Sequence, residues 1–347
     1  MNCFNIFVAF PCQSNAFLRR PLSMTQDRIN IATALNSKYM RYTYVMLTSF
    51  FMNHPDTEVH VYLLHNDLTS SDQAYLTALG TQYHNTIHYL KIDNSMFPDS
   101  LPTTNEWPLE AYYRLLLLDI LPKDVDRLLY LDVDMIIDKP ITAMYQTDFE
   151  DCVFCVCRDM GVTFPFNDRR QAIFQPLIEK GLIYFNSGLL LWNIPKLREK
   201  YNFQAYLELA KSLDYLVLAP DQDLLNYMHW NEVKFLDEYQ FNLFSRLAYN
   251  NDIHYEDIKR ETSIIHFAGM KPWEGQYVHY DIEKIWWDYA KETPFYHELL
   301  EEFVSDCIRS PLLYDTMNKL SEEKRALAAE LTKSTALCQK LLSMLDK

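Results

Sequence analysis

The sequence predicts an α/β protein: a mainly parallel sheet flanked by helices, ending in a helical region. Three observations carry this. Short apolar segments alternate with longer segments of helical spacing from residue 29 onward, the signature of βαβ units. Two carboxylates interrupt an otherwise apolar strand in Leu128-Leu129-Tyr130-Leu131-Asp132-Val133-Asp134-Met135-Ile136-Ile137. Hydrophobic residues make up 49% of the 347, enough to fill a large core.

Taken in order, residues 29–35 alternate and read as the first strand, and residues 39–53, apolar on most sides, as a buried helix. Residues 59–64 form the second strand. Ser70-Ser71 opens a helix that Gly80 ends. Residues 86–92 read as a third strand, and residues 109–118 as a helix stopped by Leu121-Pro122. Residues 151–157 form a strand, followed by a Phe/Pro/Asn-rich loop to Asn167. The apolar segment 182–192 is broken by Asn186-Ser187-Gly188. Helices at 201–213 and 221–230 precede a short late strand at 263–268. In residues 318–347, Leu320, Leu327, Leu331, Leu341 and Leu345 share one helical stripe.

Composition narrows the function. A net charge of −15 argues against nucleic-acid binding, which draws its affinity from neutralised phosphates. Six glycines, with no Gly-x-Gly-x-x-Gly or P-loop pattern, argue against a Gly-rich phosphate cradle. Cys152, Cys155 and Cys157 read as small hydrophobes of an apolar strand, because no second Cys/His pair follows at zinc spacing. Reduced thiols fit a cytoplasmic location. Residues 1–28 lack the basic start and cleavage site of a secretion signal, and Met24 offers an alternative start.

Asp132 and Asp134, two apart in an extended chain, point to the same side about 6.5 Å from each other. Such a pair is costly near a core unless paired or bound to a cation, although an isolated Asp-x-Asp also ends strands in solvated turns. At the carboxyl end of a strand in a parallel sheet it lies where ligands bind. In His266-Phe267-Ala268-Gly269-Met270-Lys271-Pro272-Trp273, Gly269 and Lys271 offer backbone N–H and an ammonium to a diphosphate. Two carboxylates with one imidazole suit Mn²⁺, with Mg²⁺ as a substitute. Asp221, in Pro220-Asp221-Gln222-Asp223, reads either as a helix-start residue or as a site carboxylate. Arg114 reads as an ion-pair partner or as a guanidinium reaching a donor or the aspartates.

Five ordered stretches resemble glycosyltransferase family 8, retaining enzymes that include bacterial lipopolysaccharide galactosyl- and glucosyltransferases. They are residues 31–39 with the later His-Pro-Asp-Thr-Glu-Val; Tyr113-Arg114-Leu115 running through Asp132-Val133-Asp134; Tyr184-Phe185-Asn186-Ser187-Gly188; Asp221-Gln222-Asp223-Leu224-Leu225-Asn226; and His266 through Trp273. The resemblance spans residues 29 to 275. It implies a GT-A fold over residues 29–280, after an N-terminal extension (1–28) and before a helical region (281–347). It also implies a UDP-sugar donor, galactose or glucose, and a glycan or lipid-linked acceptor.

Asp132, Asp134 and His266 match the family's metal ligands, and Gly269 and Lys271 its diphosphate contacts. Arg114, Asn186, Asp221 and Gln222 match residues lining the donor sugar, and Asp159 a position associated with donor sugar or acceptor. Ala34, Asn36, Tyr39 and Val133 complete the expected nucleotide contacts. Asn36 stands where the family commonly has Asp; its carbonyl still accepts a hydrogen bond from uracil N3–H. A catalytically silent nucleotide-sugar-binding relative and a nucleotidyltransferase are the alternative functions. The C-terminal helices read either as a membrane seat, through Trp286, Trp287 and a basic stripe, or as a coiled-coil or oligomer contact.

Overall fold

A computed structural model describes residues 28–103, 108–161, 168–215, 219–277 and 279–345. The expected extension up to residue 27 lies outside the described residues. The strands are β1 Ile29–Ala34, β2 Val59–His65, β3 Thr86–Lys91, β4 Arg127–Leu131, β5 Met135–Ile137, β6 Phe154–Arg158, β7 Phe185–Asn193, β8 Val233–Leu236, β9 Leu243–Phe244 and β10 Ile264–His266. Seven of them form the main sheet in the order β3-β2-β1-β4-β7-β6-β8, and β5-β10-β9 form a smaller one. β1 pairs in parallel with β2 and β4, β2 with β3, and β6 with β8. β7 alone runs against its neighbours in the main sheet, antiparallel to both β4 and β6. The mainly parallel α/β architecture is therefore as expected, with one reversed strand inserted.

Burial on both faces explains the near-continuous apolar runs. One layer of core packs the helix Met40–Met52 and residues 264–277 and 279–299 against the sheet. The other packs Tyr112–Leu118 and the helices Phe203–Ser212 and Pro220–His229. Cys155 and Cys157 are fully buried in β6, where burial pushes the Cys155 thiol up to about 12.

Several expectations are adjusted. The helix expected at 109–118 is a 3-10 helix, Leu109–Leu116, running into a short α-helical turn, Leu117–Ile120. Tyr112 through Leu116 are all buried there. The strands β5, β8 and β9, two to four residues long, are too short to announce themselves by alternation. The membrane seat expected at Trp286 and Trp287 is corrected. Trp286 is 0% exposed in the core, and half-buried Trp287 donates its indole N–H to the Pro272 carbonyl at 3.1 Å. Adjacent aromatics of one helix served packing here. The final helix, Pro311–Leu345, by contrast lies exposed from Tyr314 to Thr335. Among the described residues no helix is long and apolar enough to cross a membrane.

Candidate active site

The carboxyl ends of β1 and β4 open into a cavity of about 920 Å³. All fourteen site residues expected from the sequence line it: Ala34, Asn36, Tyr39, Arg114, Asp132, Val133, Asp134, Asp159, Asn186, Asp221, Gln222, His266, Gly269 and Lys271. Two of its walls come from opposed strand directions. β4 delivers its last residues and then Asp132, while antiparallel β7 delivers its first, Asn186-Ser187-Gly188, with Leu131 registered against Leu189. The Asp132 N–H donates to the Gly188 carbonyl at 2.9 Å, which locks the two motifs together.

Among the described residues, Asp132, Asp134 and His266 form the one group of three whose ligand atoms converge, all within 4.8 Å of one another. The sequence places them there simply: Asp132 ends β4, Asp134 precedes β5, and β10 pairs antiparallel with β5, setting His266 opposite Met135. His266 Nε2 lies 3.3 Å from Asp134 and 4.0 Å from Asp132. Its Nδ1 is 2.9 Å from the Asn242 side-chain carbonyl, so an Nδ1–H donates there and leaves Nε2 facing the carboxylates. Two carboxylates and an imidazole lone pair at this spacing call for a cation, and this donor set fits a hard divalent ion.

Gly188 sits against the cluster. A Cβ there would come within 2.6 Å of Asp132 Oδ2 and 2.7 Å of His266 Cε1, so only glycine leaves the ligands their places. Gly269 (φ +98°) makes the left-handed turn that returns Lys271 to the site. The Lys271 ammonium contacts Asp134 and donates to the Phe267 carbonyl at 3.0 Å. Burial alone would raise the Asp134 carboxyl, but the Lys271 ammonium works against it, and Asp134 is held well below the usual carboxylate range.

Arg114 is 5% exposed and is no surface residue. Its guanidinium lies 2.9 Å from Asp132, 3.0 Å from Asp221 and 4.2 Å over the Tyr130 ring, and it donates to the Ser187 carbonyl. Burial works against its charge, yet the two aspartates overcome this and strengthen it. Asp221 thus faces the guanidinium and does not cap its helix. Burial, with Asp132 nearby, leaves its carboxyl above the ordinary range despite Arg114.

Beyond these ions lies an amide network. Gln222 accepts from the Ser187 N–H at 2.8 Å and from Asn186 Nδ2 at 3.1 Å, and donates to Asp159 at 2.9 Å. Asn186 Oδ1 accepts from the Gly188 N–H at 3.0 Å and from Asn242 Nδ2 at 3.1 Å. Asn36 Nδ2 donates to Glu110 at 3.1 Å, while its side-chain carbonyl oxygen has no partner among the described residues. Tyr39 meets Tyr42 edge-on at 5.6 Å, and Tyr42 stacks on Trp273 at 4.1 Å. The cavity lining thus combines an aromatic ring and an amide near β1, the ionic cluster, and the amide network.

Asn242 carried no sequence signal, standing between Phe241 and Leu243 outside every motif. It is 1% exposed and joins His266 to Asn186. Partners of this kind hold a ligating imidazole in its tautomer and orientation, and their loss typically weakens metal affinity about 10–100-fold. Asn242→Ala is expected to raise the Mn²⁺ dissociation constant by that factor, read from the free-ion paramagnetic resonance signal. An unchanged constant would remove Asn242 from the site.

The sequence matches Glycosyl transferase family 8 over residues 30–276, and the chain belongs to that family. It is 27% identical over 251 residues to a lipopolysaccharide 1,3-galactosyltransferase of Salmonella typhimurium, covering 71% of this chain and 73% of that one. It is 26% identical over 269 residues to a lipopolysaccharide 1,2-glucosyltransferase of Escherichia coli, covering 74% and 76%. The solved galactosyltransferase LgtC, in complex with donor and acceptor sugar analogs, superposes with a TM-score of 0.63 at 24% identity, over 77% of this chain and 96% of LgtC. The fold is thus GT-A.

Proposed function

We propose that this chain is a retaining hexosyltransferase that moves galactose or glucose from a UDP-sugar to a hydroxyl of a lipopolysaccharide or other cell-surface glycan. The convergence of Asp132, Asp134 and His266 beside Lys271 carries this reading. The names of the Salmonella and E. coli relatives support the acceptor class and the choice of two sugars. A UDP-sugar donor places the reaction in the cytoplasm, where the acceptor would meet it at the inner face of the membrane.

The three ligands would hold Mn²⁺, or Mg²⁺ in its place, which when bound supplies Lewis-acid stabilisation of charge on the departing diphosphate. Lys271 adds an ammonium to the same charge, and the turn at Gly269 brings backbone N–H groups close. The Asn36 side-chain carbonyl, without a partner among the described residues, accepts from the base, and Tyr39 borders it. Asn186, Gln222 and Asp159 hold the sugar. The bond from the anomeric carbon to the diphosphate breaks as the acceptor oxygen attacks from the same face, and the leaving phosphate takes the acceptor proton. Two observations support this route over a covalent one. The Gln222 carbonyl is engaged by Ser187 and Asn186, and Asp221 is held in an ion pair with Arg114.

With Mn²⁺, the chain is expected to release UDP from UDP-galactose or UDP-glucose, slowly in water and faster with a lipopolysaccharide acceptor. A chain that binds Mn²⁺ and UDP but hydrolyses and transfers neither sugar is instead a silent relative. Release of pyrophosphate from UTP with a sugar phosphate would mark a nucleotidyltransferase. A glycosyl adduct trapped on Asp221 would overturn same-face attack.

A further inference from the structure

The helix Pro311–Leu345 is 35 residues long, about 52 Å at 1.5 Å per residue. It follows the break at Ser310 after the core-packed helix Tyr296–Arg309. Met317, Leu320, Leu327 and Leu331 are 59–69% exposed along it. With Lys324 between them their spacing is three, four, three and four residues, a heptad seam in which 317, 324 and 331 are a positions and 320 and 327 are d positions. Beyond it the same frame places Ser334 and Cys338 at the next d and a positions, and Leu341 and Leu345 at the two after those.

We propose that this stripe is the seam of a parallel, two-stranded coiled coil formed with a second copy of this chain. Three observations select that occupant. The stripe is narrow, an a/d seam and not the broader face by which an amphipathic helix packs on a domain. The charges between residues 314 and 335 are four acidic and four basic, so this span has no net basic face for an anionic membrane.

The third observation is Lys324 itself. In a parallel, in-register pair each a position faces its own copy on the other helix, so the two Lys324 side chains share one layer, and each turns aside to the g residue that precedes that position on the other helix. Lys324 then meets Glu323 of the partner subunit, an opposite charge, and Glu323 meets the partner's Lys324. An antiparallel pair sets a against d and drops Lys324 onto a leucine. A lysine at one a position costs stability and fixes register, which suits a defined dimer.

The light-scattering mass of the full chain is expected to be twice the 41.2 kDa of one copy. The double variant Leu320→Glu/Leu327→Glu is expected to run as a single copy while keeping the thermal midpoint of the folded domain. In a Cys338→Ser background, Leu320→Cys should oxidise to an interchain disulfide and Lys319→Cys, on the outer face, should not. A parent chain of single-copy mass overturns the proposal, as does a dimer that survives the double variant. Equal crosslinking at positions 319 and 320 overturns the in-register seam. A single-copy parent that floats with phosphatidylglycerol–phosphatidylethanolamine vesicles, and loses this in the double variant, assigns the stripe to lipid instead.

Discussion

Asp132→Ala and Asp134→Ala are each expected to reduce Mn²⁺-dependent UDP release on the order of 10³-fold, the scale of losing a preorganised stabiliser of transition-state charge. The two lesions differ in kind. Asp132, whose side chain is 28% exposed, uses one oxygen to hold Arg114 and turns the other toward Gly188 and His266. Its removal costs the cation one ligand and loosens the guanidinium that also pairs with Asp221. Asp134 is the deeper of the two and the partner of the Lys271 ammonium. Its removal leaves that ammonium buried without its counter-charge, so Asp134→Ala should also lower the unfolding midpoint, while Asp132→Ala leaves it nearly unchanged. Steady-state rates with and without chelator, alongside thermal melts, separate the two. Metal-dependent turnover retained in either variant would refute the site.

Asp223→Ala is expected to destabilise the fold by about 3–5 kcal/mol, the usual cost of removing one partner of a buried ion pair. The Arg170 guanidinium approaches Asp223 at 2.7 and 3.1 Å with both groups buried, and the Tyr184 hydroxyl donates to the same carboxylate at 2.6 Å. Asp223 lies next to Gln222 in sequence, yet it serves the scaffold: it fixes the start of Pro220–His229 and with it the direction of Gln222. Denaturant unfolding of the variant would measure the loss. An unchanged midpoint would mean that Arg170 finds another counter-charge.

The parts of the site that were legible in the sequence are those where chemistry contradicts its surroundings. Asp132 and Asp134 in an apolar strand, and the Gly269–Lys271 pair after a late strand, each break a pattern that packing alone would have kept. Asn186-Ser187-Gly188 was legible as a motif but read as a break in an apolar segment. In the fold it lies inside β7 and is buried, because its polar groups satisfy one another and their neighbours across the cavity. Strand direction left no trace, since alternation is the same in either sense. Asn242 was invisible for a different reason. Its partners, His266 and Asn186, lie 24 and 56 residues away, and a lone Asn before a two-residue strand has no local signature. Trp286 failed the other way: an aromatic that looked available for a surface was needed by the core.

The reversal of β7 also decides which stretches of chain meet at the cavity. Were β7 parallel to β4, the cavity would receive its other end, Trp192-Asn193, and the neighbouring lip would be largely apolar. Because it runs backward, the carboxylate lip and the amide lip arrive on separate stretches of chain, one leaving the sheet and one entering it. The Asp132–Gly188 hydrogen bond then ties two stretches more than fifty residues apart in sequence into one edge of the cavity, so a change at Gly188 is felt at the carboxylates.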